Sequence, residues 1–170
     1  MARRPRSGNL RASLLDRLTD DRPGQRSVEP DRGAADMESM RTSVLRDLSW
    51  LFNTGSFVPA EEIEEFEEVK RSVINYGVRE LSGLSTSGLD AVALEKEIKR
   101  AIIDFEPRIV GQTLRVKVVT PDDDRTYATL AFEITGQMWA DPAPIRIALH
   151  SDIDLDSGQV TVEDSDKRGR

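Results

Sequence analysis

The 170-residue chain contains no cysteine and a single histidine, His150. The first absence excludes disulfides, thiolate metal ligands and cysteine nucleophiles together. A lone imidazole cannot supply the two or three ligands that the common zinc sites use. Any catalysis would therefore fall to carboxylates. Aromatic residues are also scarce, nine in all, and a hydrophobic fraction of 38% is enough for one core with little left for a second. The length agrees with one domain plus a tail. Apolar runs such as Ala101-Ile102-Ile103 fall far short of the roughly 18 to 20 residues of a membrane-spanning helix. The basic start, Met1 to Arg6, is not followed by the apolar segment of a signal peptide, so the expected location is cytoplasmic. No glycine-rich loop precedes a Lys-Ser or Lys-Thr pair, which excludes nucleotide hydrolysis of the P-loop kind.

The net charge of -7 is unevenly spread. Residues 1 to 46 hold ten arginines against seven acids, and residues 47 to 170 hold 14 basic against 24 acidic residues. A body with that balance repels nucleic acid. The arginine-rich head is interrupted by Asp16, Asp20, Asp21, Glu29, Asp31 and Asp36, which favours a solvated arm over an RNA-binding one.

Residues 1–35 read as a largely flexible arm, punctuated by Pro5, Gly8, Pro23, Gly24, Pro30 and Gly33. Within it, Leu10, Leu14, Leu15 and Leu18 share one face at helical spacing, with Ser13 as a cap, which predicts a short amphipathic helix in 10–20. Two turns cannot stand alone in water, so this helix is expected to dock on its own domain or on a partner.

A single domain is expected over 36–165, followed by a disordered end at 166–170. Met37, Met40, Val44, Leu45, Leu48, Leu51 and Phe52 follow helical spacing up to Asn53-Thr54-Gly55. Ile63, Phe66 and Val69 predict a second, shorter helix laid against the core, its six glutamates forming a solvated face. Leu89 to Phe105 is a third, stopped by Pro107. The period then changes to two through Leu114–Val119, Thr126–Met138, Ile145–Leu149 and Val160–Val162. The expected fold class is α+β: about three helices on one face of a mainly antiparallel sheet of about four strands.

Three segments resemble chemistry they do not complete. Asp152, Asp154 and Asp156 with Glu163 imitate a calcium loop, but Ser157 stands where the glycine of the sharp turn belongs, and no helices flank the segment. Gly83 to Gly88 is one residue too long for a nucleophile elbow and reads as a linker. The third, Glu106-Pro107-Arg108, ends the last helix with an acid and a base. It reads either as a surface ion pair or as a pre-organised fork for a partner, since proline restricts its own backbone and that of Glu106. The residues alone leave the two readings level.

These segments carry a resemblance. "SLLDRLTDD" at 13–21, "SVLRDLSWLFNT" at 43–54, "SVINYG" at 72–77 and "FEPRI" at 105–109 stand in the order found in the TssE family. These are baseplate subunits of type VI secretion systems, related to the lysozyme-like wedge proteins of contractile phage tails. The resemblance implies a structural, non-enzymatic role without cofactor or metal, on the baseplate at the inner face of the cytoplasmic membrane. It implies partners in the wedge subunits TssF, TssG and TssK and in the sheath subunits TssB and TssC, the sheath nucleating by strand addition on an exposed sheet margin. Glu106, Pro107 and Arg108 would contact the wedge, and Leu14, Leu15 and Leu18 would be a second contact. With the pair read as surface-borne, Arg108→Glu is expected to leave the domain folded and to abolish wedge binding. A cell-wall hydrolase and a wedge protein of a phage-derived particle are the alternatives. A cation beside Glu106 argues against the hydrolase, because it opposes the raised pKa of a general acid.

Overall fold

The computed structural model describes residues 13–19, 37–57, 65–80, 82, 90–119, 129–140 and 143–166. The expected loop at 83–88, the start of the second helix at 61–64, the final residues 167–170 and most of the N-terminal arm lie outside them. Among the described residues four α-helices, α1 (Leu14–Leu18), α2 (Met37–Phe52), α3 (Glu67–Lys70) and α4 (Ala91–Phe105), precede four strands. The strands are β1 (Arg115–Val119), β2 (Thr129–Met138), β3 (Ile145–Asp154) and β4 (Val160–Asp164). They form one antiparallel meander in the order β1-β2-β3-β4, and the domain is α+β as the patterning predicted.

Only α2 and α4 are long, and each buries one stripe. On α2 the stripe is Met40, Val44, Leu48, Leu51 and Phe52; on α4 it is Leu94, Ile98, Ala101 and Ile102. Met37 was expected in the α2 stripe but is exposed, as is Val92 of α4, since each sits in the first turn of its helix, at the edge of the packed surface. Asp90 caps α4 by accepting from the Ala93 amide at 3.0 Å. The last carbonyls of α2 are met by side chains: Asn53 Nδ2 donates to the Ser49 carbonyl and Thr54 Oγ1 to that of Trp50, both at 2.7 Å. In the described part of the predicted second helix, a single turn, α3, forms; it buries no residue, and Phe66 just before it is exposed. Its Glu67 pairs with Arg100 of α4 at 3.4 Å, an exposed contact.

Strand alternation decides which face meets the helices. Leu130, Phe132, Ile134 and Met138 of β2, Ile147, Leu149 and Ile153 of β3 and Val160 of β4 point inward. Phe132 meets Phe52 of α2 edge to face at 5.4 Å between centroids. The opposite face carries a polar row, Lys117, Glu133, His150 and Glu163, paired strand to strand. The α4 helix packs along β1 and α2 along β4, so each margin of the sheet has a helix beside it. Among the described residues no helix is long and apolar enough to cross a membrane.

Gly77 is required where the chain returns to the core. Its φ is +128°, and a Cβ there would lie 2.3 Å from the Thr54 carbonyl oxygen. The close approach lets Val78 exchange backbone hydrogen bonds with Thr54 and Ser56 at 3.0 and 2.9 Å.

Candidate functional site

The helix α4 ends at Glu106, whose amide still bonds to the Ile102 carbonyl at 2.8 Å, and Pro107 prevents a further turn. The chain then runs beside β2: Val110 donates to the Gln137 carbonyl and Trp139 to that of Arg108, at 2.8 and 2.7 Å. Backbone pairing on both sides of the proline therefore fixes where Arg108 begins.

The Arg108 side chain does not reach outward. Its Nε donates to Glu106 Oε1 at 2.7 Å and its Nη2 to Glu106 Oε2, while the Arg108 amide donates to the same Oε1 at 3.1 Å. The guanidinium also spans to α2, donating to Asp47 Oδ2 at 2.5 Å and to Ser43 Oγ at 2.9 Å. Glu106 is only 3% exposed. The sequence reading placed this pair at the surface; the structure turns it inward, because Asp47 and Ser43, one helical turn apart on α2, offer the oxygens that complete the guanidinium's shell. Arg108 is thereby an internal staple between α4, α2 and the sheet. Burial alone would lower its pKa, but the hydrogen bonds and charges of Glu106 and Asp47 raise it above the ordinary arginine value.

A second arginine extends the cluster. Arg46 binds Asp47 through the other carboxylate oxygen, Oδ1, at 2.8 Å, and holds Asp16 of α1 at 2.6 Å. Its guanidinium lies 5.0 Å from the centre of the Trp50 ring. Tyr76 packs on Phe105 at 5.2 Å and its hydroxyl reaches the Asp47 carbonyl at 3.4 Å. All four segments that carry the family resemblance thus meet in one place: Ser13 and Asp16, then Ser43, Arg46 and Asp47, then Tyr76, then Glu106 and Arg108. Spacing on α2 would have grouped Ser43, Arg46 and Asp47 on one flank. Nothing in the sequence paired that flank with Arg108, 61 and 65 positions from Asp47 and Ser43.

The leucines of the leader point the other way. Ser13 caps α1 as expected, accepting from the Asp16 amide at 3.2 Å, but Leu14, Leu15 and Leu18 are 68%, 44% and 75% exposed. The short helix lies on its own domain through a carboxylate, not through its apolar face.

The sheet margins are less bare than a template for strand addition was expected to be. On β4, Asn53 imitates a neighbouring strand: its Oδ1 accepts from the Val160 amide and its Nδ2 donates to the Val160 carbonyl, at 2.9 and 2.8 Å. Arg41 pairs with Asp164 at the far end of the same strand. On β1, Glu95 accepts from the Val118 amide at 2.9 Å. Antiparallel alternation then turns the Val116 amide and carbonyl outward as well, and no hydrogen bond from the described residues is seen to reach them. Of the two margins, β1 is the more open.

The arrangement suits assembly better than hydrolysis. Both Glu106 oxygens are engaged by Arg108, and almost none of the side chain meets solvent, so neither a sugar nor water reaches it. Asp154, from the segment resembling a calcium loop, spends Oδ1 on the amides of Asp156 and Ser157, an Asx turn that makes the β3–β4 hairpin with Gly158 at φ +74°. Comparison with known families agrees. Residues 38–143, more than half of the chain, match the family described as baseplate wedge protein gp25, and the chain belongs to that family. Its members are structural components of phage-like baseplates. Among curated proteins none matches significantly, and among solved structures none does either.

Proposed function

We propose that the protein is the TssE-type baseplate subunit of a type VI secretion system. In this reading it is a non-enzymatic, cytoplasmic adaptor that joins the wedge of TssF, TssG and TssK to the first ring of the TssB–TssC sheath. The observation that carries it is the convergence of all four family segments on the Arg108 cluster, which builds a rigid corner instead of an open cleft with accessible carboxylates. Arg108 serves the wedge contact from within, by fixing the corner. The exposed Pro107 ring and the exposed Trp139, whose amide bonds to the Arg108 carbonyl, are the parts of that corner a partner meets. The sheath contact falls on β1, where an added strand would take the Val118 amide from the Glu95 carboxylate.

Co-expression with the wedge and sheath subunits tests both contacts. Trp139→Ala is expected to leave the fold intact and to weaken co-purification with TssF and TssG. Val116→Pro removes an amide outside the ladder, as edge strands tolerate, and is expected to stop sheath seeding while sparing wedge binding. Retention of both complexes by the two variants would refute the assignment of surfaces. Peptidoglycan cleavage lost on Glu106→Gln would refute the adaptor reading itself, and phage tail genes beside this one would favour a phage-derived particle.

A further inference from the structure

The contact between α1 and α2 has the chemistry of a ligand in a receptor. Asp16 Oδ1 pairs with Arg46 Nη1 at 2.6 Å, and its Oδ2 accepts from Ser43 Oγ at 2.8 Å and from Ser13 Oγ at 2.6 Å. Ser43 is 6% exposed, so its hydroxyl is held in place by the core of the domain. Five residues cannot hold a helix in water, and the leucines of α1 face outward, so neither intrinsic propensity nor apolar burial accounts for its position. Within α1 the Ser13 hydroxyl accepts from the Asp16 amide and donates to the Asp16 carboxylate, which pre-sets that carboxylate for its partner.

We propose that Ser43 and Arg46 form a carboxylate receptor on α2, that Asp16 occupies it as a tethered ligand, and that this polar latch sets the geometry of the Glu106–Arg108 staple through the Ser43 hydroxyl. The coupling follows from a single proton. Ser43 has one O–H, and giving it to Asp16 leaves its lone pairs to accept from Arg108 Nη1 at 2.9 Å and Arg46 Nη2 at 3.4 Å. When Asp16 leaves, the hydroxyl can turn and one acceptor of the staple loses its orientation. The leader and the family's Glu-Pro-Arg segment are therefore two ends of one device. This stands whether or not the wedge reading holds, because its test needs no partner protein.

Amide hydrogen exchange on the full-length chain provides that test. The Thr19 amide, bonded to the Leu15 carbonyl at 2.9 Å, reports on α1, and the Ile109 amide, bonded to the Glu106 carbonyl at 3.1 Å, reports on the staple. Asp16→Asn and Arg46→Gln are each expected to speed Thr19 exchange by up to about fivefold, the scale of a partly exposed ion pair. Asp16→Asn is also expected to speed Ile109 exchange measurably, and to do so no longer in a Ser43→Ala background. Leu14→Ala and Leu18→Ala are expected to leave both amides unchanged. Release of α1 by the leucine variants but not by Asp16→Asn would overturn the receptor. An Ile109 amide indifferent to Asp16→Asn, or equally sensitive with and without Ser43, would overturn the coupling.

Discussion

Arg108 and Arg46 share one carboxylate, Asp47, each taking one of its oxygens, and each adds a second acid of its own. They differ in where that second acid comes from. Glu106 is two residues from Arg108, is nearly inaccessible, and is positioned by a helix end, a proline and a sheet. Asp16 is thirty residues from Arg46, on a five-residue helix, and its side chain is 22% exposed. The same pair of charges is thus a structural member in one case and a latch in the other. What separates them is desolvation of the acid: Glu106, its side chain 4% exposed, has no water to replace a lost arginine, whereas Asp16 at 22% has.

The comparison can be tested from its strong end to its weak one. Arg108→Glu puts a third carboxylate beside Glu106 and Asp47, and is expected to destabilise the domain by about 3 to 5 kcal/mol in denaturant unfolding. This reverses the expectation from sequence that the variant stays folded. The matching Arg46→Glu is expected to cost about 1 kcal/mol or less, and equal losses for the two would erase the distinction. Asp47→Asn, which weakens both arginines at once, should fall between them at about 1 to 3 kcal/mol. Asp16→Asn should change global stability least, by less than about 1 kcal/mol, and 1 M salt should suppress its effect while leaving that of Arg108→Glu intact.

Acid offers a further separation. Burial alone would raise the Asp16 pKa, but hydrogen bonds from Ser13, Arg46 and Ser43 bring it down from 3.8 to about 2. A carboxylate lowered in the folded state favours folding above its unfolded pKa and loses that contribution as pH falls through the folded value. Docking of α1 should therefore be constant above about pH 4 and be lost as pH falls toward 2, followed by Thr19 exchange. Asp16→Asn should abolish that pH dependence.

Much of the architecture was legible because it rests on period. The alternation of Leu114, Val116 and Val118 placed β1 correctly, and the stripe from Met40 to Phe52 placed α2, since burial of one face is a local pattern with a global cause. The second helix is described only from residue 65 onward. Phe66 and Val69 have helical spacing, yet only the turn Glu67–Lys70 forms in the described segment, and nothing there reaches the core. Spacing states that a face exists, not that anything covers it. The same limit applies to the leucines of α1, whose stripe was real and whose docking face was the opposite one.

From its own order of residues the chain determined that Glu106 and Arg108 stand two apart across a proline, that β-strands follow helices, and that neither cysteine chemistry nor a zinc site built on several histidines is available. Which way that pair points was decided only when α2 came to lie across the end of α4. A guanidinium forks toward whatever oxygens are nearest, and Ser43 and Asp47 became nearest through packing of two apolar stripes whose positions on the chain have no bearing on charge.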